Sequence, residues 1–141
     1  MNVLFICRAN VGRSQMAEAF CNVLAPQIET RGAGTHVPPE FEGKPITLRT
    51  KTVVRAMGEV GIDMTQKQMH QITPEMVLWA DKVIALHTRE ELPDYLLAAD
   101  QKLEVWNVPD AADTDLEFHE KIMDVIQVKV ADLVKRLSAA A

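Results

Sequence analysis

The stretch Val3-Leu-Phe-Ile-Cys7-Arg-Ala-Asn-Val-Gly-Arg13-Ser-Gln-Met16 joins the three features that decide the fold of this chain. Asn2–Ile6 is a nearly continuous apolar run, which predicts a parallel strand buried on both faces of a sheet. From Arg13 onward, apolar residues recur at helical spacing until Pro26 ends the pattern. The sequence therefore predicts a strand, a tight loop and a helix, with Cys7 at the start of the loop and Arg13 at its end.

Three further strands are predicted downstream, separated by helical or irregular sequence. The predicted strands are Ile28–Gly34, Lys82–Leu86 and Leu103–Val108. The predicted helices are Thr47–Val60, one that starts at Pro74, Arg89–Ala98 with a local interruption at Pro93, and one after the capping box Thr114-Asp-Leu-Glu117. Alternating strands and helices are typical of a parallel sheet that is covered on both faces. We therefore expect residues 1–141 to form a single doubly wound α/β domain around a four-stranded parallel sheet.

Length, charge and cysteine count exclude several classes of function. The chain has 141 residues, is 48% hydrophobic and carries a net charge of −5, which fits one soluble globular domain. No basic run is present, so we expect no nucleic-acid partner, and no apolar stretch approaches the roughly 20 residues that span a bilayer. Cys7 and Cys21 form no metal-ligand or disulfide spacing, so we expect no metal and a cytoplasmic location. The chain begins directly with a strand, and we expect no signal peptide.

The loop after Cys7 has the composition of an anion-binding site. A loop that leads into a helix directs backbone N–H groups and the positive end of the helix dipole at its centre. Asn10 and Gly12 tolerate positive φ, and Arg13 can hold two oxygens of a tetrahedral oxyanion. The same positive field favours the nucleophilic thiolate of Cys7, to which Ser14 can donate a hydrogen bond. The alternative is that Cys7 is a small buried side chain at the end of a strand.

Two more residues follow predicted strands and should lie at the same edge of the sheet as Cys7. Asp110 comes just after the fourth strand, and His87 just after the third. Ligands bind beyond the carboxyl ends of the strands in sheets of this kind. Asp110 is therefore a candidate acid, although a loop aspartate can instead cap the next helix, and His87 has either a site-lining or a structural role. His119 reads as an ordinary surface residue.

The spacing Cys7-x5-Arg13-Ser14 after an N-terminal strand resembles the signature of the low-molecular-weight protein tyrosine phosphatases and of the arsenate reductases that share their fold. The run from Cys7 to Ser14 is similar to their phosphate-binding loop, and Arg13-Ser-Gln-Met-Ala-Glu18 is similar to the arsenate reductase branch. Trp106-Asn-Val-Pro-Asp110 resembles the segment that carries the general acid. The resemblance covers nearly the whole chain and implies an enzyme that needs no cofactor.

The resemblance also implies a two-step reaction on phosphotyrosine or a small aryl phosphate. Cys7 would attack phosphorus to form a cysteinyl-phosphate, Arg13 would stabilise the transition state, and Asp110 would protonate the leaving oxygen and then activate water. Asp113 is the reserve candidate for the acid. The implied partner is a phosphorylated protein or a small phosphate ester. The residues implied to bind the substrate are Arg8, Ala9, Asn10, Val11, Gly12, Arg13 and Ser14.

The chain departs from the family pattern at three places. Asp110 is followed by Ala-Ala-Asp, so the tyrosines that would stack on a phosphotyrosine ring are not evident. Gly12 stands where the phosphatases often carry a second cysteine. Val83–Glu90 lacks the relay cysteines of thioredoxin-coupled arsenate reductases, so reduction of arsenate would need an external thiol donor such as glutathione or mycothiol. A non-catalytic oxyanion-binding domain is the third interpretation.

Overall fold

A four-stranded parallel sheet with the strand order β2-β1-β3-β4 forms the centre of the structure, a computed structural model that describes residues 1–140. The strands are β1 (Asn2–Cys7), β2 (Glu29–Gly34), β3 (Lys82–Ala85) and β4 (Leu103–Val105). The helices are α1 (Arg13–Leu24), α2 (Thr52–Glu59), α3 (Pro74–Trp79), α4 (Asp94–Leu97) and α5 (Leu116–Ala140). The predicted doubly wound α/β fold is confirmed.

Alternate residues of the central strands face two separate apolar layers. Phe5 and Ile84 pack in the layer that contains buried residues of α1, α2 and α5. Leu4, Ile6 and Val83 pack in the other layer, with buried residues of α3 and α4. All five side chains are fully buried, and complete burial of one such side chain contributes about 1.5–3 kcal/mol. Burial on both faces explains why β1 is apolar throughout instead of alternating.

The order of the strands places the ends of β1 and β3 next to each other while the chain leaves them in opposite directions. The connection after β1 runs through α1 to β2 on one side, and the connection after β3 runs through α4 to β4 on the other. Ile6 pairs with Ala85, and Cys7 is the last residue of β1. Such a reversal opens a crevice at the carboxyl edge of a parallel sheet. Cys7 therefore lies at the point where this fold provides a ligand site.

A polar side chain and a proline determine where two of the predicted helices begin or break. The predicted helix Thr47–Val60 is a 3-10 turn, Ile46–Leu48, followed by α2, since the Thr50 hydroxyl accepts the backbone N–H of Val53 at 3.1 Å and starts the helix later. The interruption predicted at Pro93 is confirmed: residues Arg89–Glu91 form a 3-10 turn, and α4 begins after Pro93, which has no backbone N–H to donate.

The capping box predicted at Thr114 is wrong. Helix α5 begins at Leu116, and the Asp115 carboxylate accepts the backbone N–H of Phe118 at 2.9 Å. Asp115 is therefore the residue that satisfies the start of the helix. Helix α5 spans 25 residues and buries Ile126 and Leu133 completely. Within residues 1–140, neither α5 nor any other helix combines the length and apolarity needed to cross a membrane.

Candidate active site

Residues 8–12 form the loop that joins β1 to α1. Asn10 lies in the left-handed region with φ 55°, a conformation that asparagine tolerates better than most residues. Within the described chain, no backbone N–H of residues 8–12 donates to a protein acceptor. The first N–H groups of α1, which begins at Arg13, also lack intrahelical acceptors. The loop thus presents a set of free donors at the positive end of a helix dipole, where an anion is stabilised.

Cys7 lies at the base of this loop and contacts Ser14. The Cys7 Sγ and Ser14 Oγ atoms are 3.0 Å apart. The Asn10 side-chain amide donates to Ser14 Oγ at 2.8 Å, so the Ser14 hydroxyl proton is free to point at the sulfur. Cys7 is 2% exposed, and Ser14 and Asn10 are fully buried. Ser14 can therefore donate a hydrogen bond to the sulfur of Cys7 in an environment that excludes water.

Arg13 is fixed by carbonyl groups that follow the neighbouring strands. Its Nη1 donates to the carbonyl oxygens of Leu86 and Val108, each at 3.0 Å. Its Nη2 lies 3.7 Å from Asp110 Oδ2. Arg13 is 8% exposed and borders the same cavity as Cys7. The guanidinium is thus held in place before any substrate binds, which is the arrangement that stabilises charge without reorganisation.

Asp110 and Asp113 both line the cavity above Cys7, which has a volume of about 390 Å³. Asp110 Oδ1 accepts the backbone N–H of Ala112 at 2.9 Å, while Oδ2 faces Arg13. Asp113 has φ 62°, and its carboxylate contacts no described cation within 4.0 Å. Because Asp115 caps α5, the alternative that Asp110 caps this helix is wrong. The structure therefore places the carboxylate of Asp110, and not that of Asp113, within 4.0 Å of the Arg13 guanidinium.

The loop is also supported by residues 68–70, for which the sequence predicts no role. The backbone N–H of His70 donates to Asn10 Oδ1 at 2.9 Å. The buried Gln15 side chain donates from Nε2 to the carbonyl oxygens of Asn10, at 3.0 Å, and Gln68, at 2.8 Å. These bonds hold Asn10 on both sides. A glutamine on the buried side of α1 is the only sequence signal that pointed to this support.

Gly34, at the end of β2, permits the loop to pack closely against the sheet. A Cβ at this position would lie 2.7 Å from the carbonyl oxygen of Arg8 and 2.9 Å from the backbone nitrogen of Asn10. Real Cβ atoms do not approach other atoms so closely. Only glycine therefore allows β2 and the loop to keep this separation.

The prediction that His119 is a surface residue is wrong. His119 is 6% exposed and lines the cavity, and its Nδ1 donates to the carbonyl oxygen of Asp115 at 2.8 Å. His119 lies one helical turn after Asp115, the residue that caps α5, and this spacing is the sequence signal that was missed.

His87 is buried beside the loop but does not line the cavity. Its Nε2 lies 3.4 Å from Thr35 Oγ1. Burial lowers the pKa of His87 to about 4.

Comparisons with known proteins agree with this architecture. The family model described as low molecular weight phosphotyrosine protein phosphatase matches residues 2–141. Arsenate reductase 1 of Staphylococcus epidermidis is 27% identical over 143 residues, with 96% of each chain covered. The low molecular weight protein-tyrosine-phosphatase Ptp of Acinetobacter johnsonii is 26% identical and covers 96% of this chain and 97% of its own.

Solved structures show the same fold. A low molecular weight protein tyrosine phosphatase from T. tengcongensis superposes with a TM-score of 0.83 at 27% identity, covering 96% of this chain and 99% of the other. The YwlE arginine phosphatase from Geobacillus stearothermophilus superposes with a TM-score of 0.86 at 21% identity, covering 99% and 94%. The family resemblance and fold predicted from the sequence are thus confirmed.

Proposed function

The chain belongs to the low molecular weight phosphotyrosine protein phosphatase family, and from that membership we propose that it hydrolyses phosphotyrosine or small aryl phosphate monoesters through Cys7. The phosphatase class predicted from the sequence agrees with this family. The observation that supports the residue roles is the convergence of four groups on one cavity. Cys7, Arg13, Asp110 and three loop residues with free N–H groups all border it, the three being Ala9, Val11 and Gly12.

In the first step, the Cys7 thiolate attacks phosphorus, so that a sulfur–phosphorus bond forms while the bond to the ester oxygen breaks. Residues 8–14 act as the phosphate-binding loop. Their N–H groups and the Arg13 guanidinium donate to the non-bridging oxygens, which carry the growing charge. The bonds from Arg13 to the Leu86 and Val108 carbonyls preorganise this stabilisation.

Asp110 serves both steps as the proton carrier. It first gives a proton to the leaving ester oxygen, and then takes a proton from the water that attacks the cysteinyl-phosphate. The second attack breaks the sulfur–phosphorus bond and releases phosphate and the free thiolate. The position of Asp110 at the cavity, with Oδ2 directed towards Arg13, supports this role.

A comparison of two aspartates in the same loop tests the assignment. Hydrolysis of p-nitrophenyl phosphate at about pH 6 should disappear in Cys7→Ser and fall by roughly 10²–10⁴ in Asp110→Asn. Asp113→Asn is the matched control, because asparagine also tolerates the positive φ at this position. Its rate should stay within about twofold of wild type. A larger loss in Asp113→Asn than in Asp110→Asn would transfer the acid role to Asp113.

Arsenate reduction with an external thiol is the second candidate, and two observations favour it. Relatives that match this chain include a protein named arsenate reductase, and no tyrosine, tryptophan or phenylalanine lines the described cavity. Cys21 cannot supply an internal relay, because it is fully buried and burial raises the pKa of its thiol to about 11. An added thiol would supply the two electrons. Arsenate-dependent oxidation of glutathione or mycothiol by wild type, absent in Cys7→Ser, would establish this activity.

We also infer a reducing, cytoplasmic compartment for this protein. The proposed chemistry needs Cys7 as a free thiol, and Cys7 and Cys21 are both free in the structure. Oxidising compartments convert reactive thiolates of this kind to disulfides or higher oxidation products. Cell fractionation followed by detection of the protein would test the location.

A further inference from the structure

A second wall of the cavity carries positive charge that the proposed chemistry does not use. Arg49 and Lys51 both line the cavity that contains Cys7, and both are exposed. Neither has a described carboxylate within 4.0 Å, although the whole chain carries a net charge of −5. The guanidinium of Arg49 lies 4.8 Å above the ring of Phe41, and this cation–π contact restrains it. The two charges are therefore available to a ligand in the cavity.

The residues between these cations add hydrogen-bond donors. Thr50 and Thr52 line the same wall. The Thr50 hydroxyl oxygen accepts the backbone N–H of Val53 at 3.1 Å, which leaves its proton free to donate. The acidic residues of the cavity, Asp110 and Asp113, come from the segment after β4 instead. The cavity thus has an acidic side that handles protons and a separate cationic wall, residues 49–52.

We propose that the cationic wall is a specificity subsite that binds an acidic side chain next to the phosphorylated residue of a protein substrate. The inference rests on the proposed phosphatase function and names the substrates of that site. Charge complementarity replaces the aromatic stacking that the lining residues do not offer, and repulsion from Asp113 directs the acidic side chain towards Arg49 and Lys51. A polypeptide is the favoured occupant, because Leu48, beside Arg49, is 62% exposed and offers it apolar contact.

Matched phosphopeptides test this subsite. One set carries aspartate or glutamate next to phosphotyrosine, and the other carries asparagine or glutamine at the same positions. Wild type should show a KM about 3- to 30-fold lower for the acidic set, the range expected from two partly exposed ion pairs, and the ratio should shrink as salt increases. The double variant Arg49→Gln/Lys51→Gln should lose the preference and still hydrolyse p-nitrophenyl phosphate within about threefold of wild type.

The control variant removes two charges elsewhere. Lys44 and Lys135 are exposed and do not line the cavity, so Lys44→Gln/Lys135→Gln should keep the preference for acidic peptides. Equal loss in this control would show that only net charge matters and would overturn the proposal. Equal KM values for the two peptide sets in wild type would also overturn the proposal. A lower KM for a small bisphosphate ester than for any acidic peptide would overturn it as well.

A binding assay separates failure of the subsite from failure of the phosphatase function. Fluorescence anisotropy with Cys7→Ser protein measures peptide affinity without turnover. If wild type does not hydrolyse aryl phosphates, the proposed function fails, and the affinity ratio between acidic and neutral phosphopeptides still decides whether the cationic wall recognises them. If wild type is active and the ratio is one, only the subsite is wrong.

Discussion

Substitution of Asn10 measures how strongly the loop conformation is held by a single residue. Asn10 is fully buried at φ 55°, its amide nitrogen donates to Ser14 at 2.8 Å, and its amide oxygen accepts from His70 at 2.9 Å. Asn10→Ala removes both side-chain bonds and places a Cβ-bearing residue without polar compensation in the left-handed region. Asn10→Gly removes the same bonds but has no conformational penalty at this φ.

The expected losses follow from these contacts. Each net hydrogen bond contributes about 1 kcal/mol, and the left-handed conformation costs about 1–2 kcal/mol for a residue such as alanine. Asn10→Ala should therefore lower the free energy of unfolding by about 3–4 kcal/mol. Asn10→Gly should lower it by about 2.5–3 kcal/mol, since glycine loses roughly 0.5–1 kcal/mol more unfolded-state entropy. The alanine variant should be the less stable of the two.

Urea unfolding monitored by tryptophan fluorescence provides the measurement, with kcat/KM for an aryl phosphate recorded in parallel. Both variants should lose at least about tenfold in kcat/KM, because the N–H groups around Asn10 no longer converge. Equal stability of the alanine and glycine variants would refute the claim that the left-handed conformation is a separate cost. A loss below about 1 kcal/mol in both would show that the surroundings, and not Asn10, hold the loop.

Three other substitutions give sharp outcomes. Gly34→Ala should lower kcat/KM at least about tenfold, since its Cβ would lie 2.7 Å from the carbonyl oxygen of Arg8. The control Gly58→Ala, whose Cβ would meet nothing within 4 Å, should keep kcat/KM, and similar kinetics for both variants would contradict the close-packing argument. Stability should fall as the pH drops from about 6.5 to about 4, because burial lowers the pKa of His87 to about 4 and the unfolded chain takes up the proton first. In His87→Gln, the urea midpoint should change less with pH over that range. An unchanged pH dependence would show that His87 does not cause the loss of stability. Cys21→Ala should keep kcat/KM within about twofold, and loss of activity would reveal a use for this buried thiol.

The loop and the cysteine at its base were accessible from the sequence because they depend on neighbours along the chain. A continuous apolar run that ends in Cys7, a proline-free loop and the start of a helical pattern occupy adjacent positions. The left-handed conformation of Asn10 follows from the residue type that tolerates it best. The family resemblance and the parallel sheet were predictable for the same reason.

The supports of the loop were not predictable because they connect distant segments. Gln15 reaches the carbonyl oxygen of Gln68, 53 residues away, and Arg13 reaches that of Val108, 95 residues away. His119 was assigned to the surface as a polar residue, but it lies three and seven residues before the buried Ile122 and Ile126 and so shares their side of α5.

The sequence by itself determined a strand that ends in a thiol, a loop with free N–H donors and an arginine at the start of a helix, because backbone preferences act over a few residues. The tertiary structure alone decided which other side chains meet that loop. The strand order β2-β1-β3-β4 brings Asp110 beside Arg13, and packing of the segment before α2 brings Arg49 and Lys51 to the same cavity. Positions so far apart in the chain become neighbours only through the pairing of strands and the burial of helices against them.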